Sequence, residues 1–92
     1  MRLIGREKLN RLKGKGAETE KWVRNWAAEV AEAQWCQPGD VTDQFPNVRH
    51  RDQGYFSFPI GNCELAIELQ IAFAQRIALI SDLTINEVNY GS

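Results

Sequence analysis

The stretch Glu64-Leu65-Ala66-Ile67-Glu68-Leu69-Gln70-Ile71-Ala72-Phe73 alternates apolar side chains with polar or small ones along its whole length. In an extended chain successive side chains point to opposite faces, so Leu65, Ile67, Leu69, Ile71 and Phe73 share one side. Glu64, Glu68 and Gln70 occupy the other, together with Ala66 and Ala72. Such a strand seals a core with one face and leaves the second open, the arrangement of an α+β protein whose helices cover one side of a sheet. The open face so defined is acidic and short of catalytic side chains.

Working outward, Tyr55 to Ile60 alternates again and sets Phe56, Phe58 and Ile60 on one face. Pro59 has no N–H for a ladder, which predicts an edge or bulged strand. Gly61-Asn62 is a turn signal, after which the run from Cys63 or Glu64 to Ala74 pairs back as the longest strand. A turn at Ala74-Gln75-Arg76 then places Ile77, Leu79 and Leu83 on the face of Ile67, Ile71 and Phe73. The same register sets Glu68 opposite Asp82, an unfavourable like-charge pair.

Upstream, Met1–Ile4 reads as a short strand or extended lead-in. Gly5 to about Lys13 reads as a brief helix with Leu9 and Leu12 inward, and Gly14 and Gly16 break it. A longer helix follows. Glu18 and Glu20 crowd its first turn, where the helix dipole favours negative charge. Trp22, Val23, Trp26, Ala27, Val30 and Ala33 recur at three- and four-residue spacing. Two Trp one turn apart suit base stacking, but they share a face with Val23 and Val30 and are better read as a core stripe. From Trp35 to Pro46 the chain is punctuated by Pro38, Gly39 and Pro46, with Val41 and Phe45 spaced for a single helical turn. The expected fold buries Trp22, Trp26, Leu65, Ile67, Leu69 and Ile71 between helices and a three- or four-stranded antiparallel sheet.

With 92 residues, 43% apolar and 25% charged, the chain has the composition of one globular domain spanning residues 1–92. No apolar run reaches a membrane span and no signal-peptide stretch opens the chain, so a cytoplasmic location without membrane partners is expected. Cys36 and Cys63 are too few and too far apart for a zinc cage and read as packing thiols. No metal or other cofactor is implied. Net charge is −1, unevenly spread. Residues 1–16 carry Arg2, Arg6, Lys8, Arg11, Lys13 and Lys15 against Glu7, whereas residues 62–92 carry Arg76 against Glu64, Glu68, Asp82 and Glu87. The basic segment suits phosphates or an acidic protein partner, and equally a plain solvated face.

The segment Trp35-Cys36-Gln37-Pro38-Gly39-Asp40-Val41-Thr42-Asp43-Gln44-Phe45-Pro46 resembles the W-x-x-P-x-D-[VI]-x-x-x-F-P stretch of HigB-type toxins, within the RelE-like group of mRNA-cleaving toxins. Met1-Arg2-Leu3-Ile4 looks like the first strand of that family, and Phe58-Pro59-Ile60-Gly61-Asn62 like its F-N-[VI]-x-G-N turn slipped by one residue. Phe73, Ile77 and Ile80 fall at apolar positions of its last strands. The resemblance covers nearly the whole chain and implies two N-terminal helices packed on a small antiparallel sheet. It further implies a type II toxin–antitoxin system: an endoribonuclease acting on translated mRNA at the ribosome, silenced by a helix-turn-helix antitoxin.

The departures lie where such activity resides. The family's Arg in the long strand is Ala66 here, and a basic residue of the next strand is Ser81. The closing T-H-x-E-Y-D becomes Thr84-Ile85-Asn86-Glu87-Val88-Asn89-Tyr90, with Asn86 or Ile85 at the His and Asn89 or Val88 at the Tyr, depending on alignment. Cleavage through a 2′-hydroxyl needs a base, an acid for the leaving oxygen and cations for the phosphorane. Asn86 hydrogen-bonds but does not titrate near neutrality, and Glu64, Glu68 and Asp82 repel an RNA backbone. The substitute cluster is Arg49-His50-Arg51-Asp52, where the sole histidine stands between two arginines. The candidate catalytic residues are therefore Asn86, His50 and Tyr90, and the candidate RNA contacts Arg49, Arg51 and Arg76. Cleavage is expected to be weak or lost, and the other reading is a catalytically inactive binding module that keeps a protein partner.

Overall fold

The computed structural model describes residues 1–52, 54–61 and 64–85. It is an α+β fold with strands β1 (Arg2–Ile4), β2 (Arg49–Asp52), β3 (Tyr55–Pro59), β4 (Leu65–Ala72) and β5 (Ile77–Ile85). Between β1 and β2 run a 3-10 helix (Arg6–Leu12), α1 (Ala17–Glu32) and a short α2 (Pro38–Gln44). The strands form one sheet in the order β1-β5-β4-β3-β2.

The sheet is mixed, and this corrects the antiparallel expectation. β2 to β5 pair antiparallel through successive connections, but β1 joins β5 in parallel, Leu3 beside Ala78. The helical segments between β1 and the hairpins supply the long crossover that a parallel neighbour needs. The first of the two expected N-terminal helices is a 3-10 turn, and α2 makes a third helical element.

α1 buries Val23, Trp26, Ala27 and Val30 against the sheet, as its periodicity predicts. Trp26 packs edge-on against Phe58 of β3 at 5.3 Å between centroids. Its indole Nε1 is buried without a hydrogen-bond partner among the described residues. Ile67, Leu69 and Ile71 are buried as expected, whereas Trp22 and Leu65 are only partly so.

β5 departs from the simple alternation. Its pairing with β4 shifts between Glu68 and Leu69, so that Glu68 faces Asp82 while the next residue, Leu69, faces Ile80. Ser81 is the extra residue of this β-bulge, and an extra residue exchanges the two faces of a strand. Ala78 and Ile80 consequently point into the core before the bulge, and Leu83 after it. Leu83 is placed as expected. Ile77 and Leu79 are not: they pair with Ala72 and Gln70 on the open face, and Leu79 is exposed.

β2 replaces what reads as a polar loop. Its sequence Arg49-His50-Arg51-Asp52 has no apolar alternation, because it is an edge strand and charged edges resist further pairing. β3 is therefore an inner strand, which corrects the edge assignment drawn from Pro59. The proline is tolerated because β2 pairs β3 only at Tyr55, Phe56 and Ser57, so Pro59 lies beyond it and needs no donor on that side.

Two glycines permit close approaches. Gly5 has φ 91°, and a Cβ there would stand 2.8 Å from the Ile80 carbonyl oxygen. Gly54, in the β2–β3 turn, accepts from the Ile71 N–H, and a Cβ there would collide with the Ile71 carbonyl oxygen.

Candidate functional site

The segment Trp35 to Pro46 is built as a structural joint. Pro38 occupies the first turn of α2, where no N–H is needed. Asp40 accepts from the Cys36 N–H at 2.8 Å, and Val41 is fully buried. Trp35 donates its indole N–H to Gln44 Oε1 at 3.0 Å, and Gln44 donates to Glu29 Oε1 of α1 at 3.3 Å. Phe45 packs edge-on between Trp35 and Phe58. Trp35, Pro38, Asp40, Val41, Gln44 and Phe45 thus each have a packing or capping task. Cys36, expected to be packed, is exposed, and Cys63 lies outside the described residues.

The open face is organised by Glu68. Ser57 of β3 pairs with it across the ladder, and Asp82 of β5 on the other side. Glu68 Oε2 accepts from Ser57 Oγ and Thr84 Oγ1, each at 2.8 Å. Its other oxygen stands 3.7 Å from Arg51 Nε, and the Glu68 side chain is only 13% exposed. Ser81, the bulge residue, donates its hydroxyl to the Glu68 carbonyl. Asp82 turns instead to Arg11 of the 3-10 helix at 3.3 Å and to the Leu83 N–H. The like-charge pair therefore exists as expected, and each carboxylate has its own donors.

The chemistry of this arrangement is that of a satisfied carboxylate. Two hydroxyls donate to one oxygen of Glu68, and a guanidinium stands beside the other. Ser81 is committed to the backbone, and Ala66 is buried between Pro59 and Thr84 of the neighbouring strands. The positions that the resemblance makes basic thus serve the sheet itself.

The Arg49-His50-Arg51 cluster is split by the pleat. Arg49 pairs with Ser57 and Arg51 reaches Glu68, so both belong to the open face. His50 pairs with Phe56 on the opposite face and stacks on its ring, centroids 4.6 Å apart and planes 10° from parallel. Arg76 stands in the turn beyond the Ala72–Ile77 pair, with φ 59°, away from the level of Glu68. Asn86 and Tyr90 lie outside the described residues.

Sequence reasoning missed Ser57 and Thr84 as partners of Glu68. The signal for Ser57 was a lone polar residue between Phe56 and Phe58, but pairing depends on a register that only the sheet supplies. Across the same face runs an apolar row. Ile4 of β1 pairs with Leu79 of β5, which pairs with Gln70 of β4, which pairs with Tyr55 of β3. Ile4, Leu79 and Tyr55 are the exposed large hydrophobics of the described residues, and all three fall on this one row.

No helix among the described residues is long and apolar enough to cross a membrane. No protein-family model matches the chain, and no curated protein matches it either.

Proposed function

We propose that this chain is a HigB-type relative of the RelE-like toxins, working in the cytoplasm as part of a type II toxin–antitoxin pair, whose sheet binds a protein and no longer cleaves mRNA efficiently. The observation that carries this reading is the character of the open face. At its centre stands a carboxylate held by Ser57, Thr84 and Arg51, and beside it the exposed row Ile4, Leu79 and Tyr55. A phosphate backbone wants neutralising cations, whereas exposed apolar side chains gathered on one face suit a protein surface. The separation of His50 from Arg49 and Arg51 adds support, since proton transfer and charge stabilisation need the groups on one side. The implied partner is a helix-turn-helix antitoxin encoded next to this chain.

The test is mRNA cleavage in a translation extract by the native chain and by Ala66→Arg/Asn86→His. Loss of one charge-stabilising donor lowers such rates by roughly 10²–10³ and loss of a general acid or base by roughly 10²–10⁴. The native chain is expected to leave mRNA intact and not to arrest growth on expression. Robust cleavage by the native chain, abolished by His50→Ala, would overturn the proposal in favour of an active enzyme.

A further inference from the structure

A concavity lies on the helix-covered side, remote from the open face. It is a cleft of about 330 Å³ between α1, the α2–β2 connection and the end of β3. Its aromatic lining is Trp22, Trp26, Phe45 and Phe58. Trp26 and Phe58 are buried and form the floor, while Trp22 and Phe45 are partly exposed and form walls. The Trp22 ring rests over Gly61, where a Cβ would stand 3.3 Å from its Cδ1. The rim carries the amides of Asn25, Gln44 and Asn47, and one charged side chain, Glu29.

The charge balance of this cleft is unusual for the chain. Eleven lysines and arginines are spread along the sequence, yet among the described lining residues there is no cation. Among the described residues Glu29 is held at one oxygen, Oε1 accepting from Gln44, which is in turn fixed by Trp35. Glu29 thus lines the same cleft as the aromatic rings, exposed and without an ion pair to a basic side chain among the described residues. Aromatic faces attract cations through their quadrupole, and a carboxylate at the same site adds a charge-assisted hydrogen bond. Anions gain nothing here.

From this geometry we infer that the cleft between α1 and the α2–β2 connection binds an organic cation, an amine or guanidinium on a short apolar stem, with Trp22 stacking on it and Glu29 pairing with it. The stem lies along Phe45 and the rim amides accept the remaining N–H groups. The same chemistry is presented by a free cationic metabolite and by an arginine side chain of a polypeptide. This site is independent of the open face and of the reading given to it.

The experiment titrates the full chain with butylguanidinium, with neutral butylurea of matched shape and with N-acetyl-arginine methylamide. Binding is read from the indole N–H resonances of Trp22 and Trp26. Saturable shifts with butylguanidinium are expected, at least about tenfold tighter than with butylurea, as loss of a charge-assisted bond implies. Glu29→Gln keeps an acceptor for Gln44 and should weaken the cation about tenfold, while Glu32→Gln on the same helix should leave it unchanged. Trp22→Leu keeps apolar bulk and should weaken it roughly three- to thirtyfold by removing the π face. Tighter binding of the arginine amide than of butylguanidinium would assign the site to a polypeptide, and equal binding to a free cation. Absence of saturable shifts, equal binding of butylurea, or indifference to Glu29→Gln would overturn the inference.

Discussion

Glu68 organises the open face through its hydrogen bonds. In the sequence it is one of two acids, with Glu64, on the alternating stretch. In the fold it is the acceptor for two hydroxyls, one of them on Ser57, which is 1% exposed. Truncation would leave Ser57 without its acceptor, so Glu68→Ala should cost about 1–3 kcal/mol in urea denaturation. Arg51→Ala should cost under about 1 kcal/mol, because Arg51 is half exposed and its 3.7 Å contact is screened by water. Equal effects of the two changes would mean that the ion pair and not the hydroxyls holds the carboxylate. Gly54 poses a backbone version of the same question. Gly54→Ala drives a methyl into the Ile71 carbonyl oxygen and should lower stability by more than about 1 kcal/mol, read as a shifted denaturation midpoint.

At the scale of the element, β5 is the strand whose periodicity misleads. Read as an unbroken alternation, Ile77, Leu79 and Leu83 make a continuous apolar face. The bulge at Ser81 divides the strand, so that the inward set becomes Ala78, Ile80 and Leu83. Ile80→Ala should therefore cost about 2–5 kcal/mol, whereas Leu79→Thr, which puts a strand-favouring β-branched residue on the open face, should stay within about 0.5 kcal/mol. The opposite ranking in thermal or chemical denaturation would restore the unbroken register. The bulge is invisible in the sequence because Leu79 and Ile80 are both apolar, and either can serve the core. In the fold Ile80 lies beside Gly5, whose missing Cβ lets the backbone come close. β2 escapes sequence reading for a related reason. An edge strand with charges on both sides carries no hydrophobic period, and its hydrogen bonds to β3 are its only signature.

For the whole molecule, the surface to which the proposed function assigns a partner is the open face. A Tyr55→Ser/Leu79→Ser variant should keep native circular dichroism, since neither side chain is in the core, yet lose co-purification with the protein encoded by the adjacent gene. Retained binding at moderate salt would move the partner to another surface, such as the basic 3-10 helix. The α+β class, the long α1, the core stripe through Trp26 and the strand Leu65–Ala72 were legible in the residues, because burial of one face imposes a period of 3.6 or 2 on the chain. So was the like-charge meeting of Glu68 and Asp82. The parallel placement of β1, the edge strand β2, the face exchange at Ser81 and the division of His50 from Arg49 and Arg51 were decided by tertiary structure alone. Each depends on which strand lies beside which and in what register, and hydrogen bonds between backbones set those relations without leaving a mark in side-chain order.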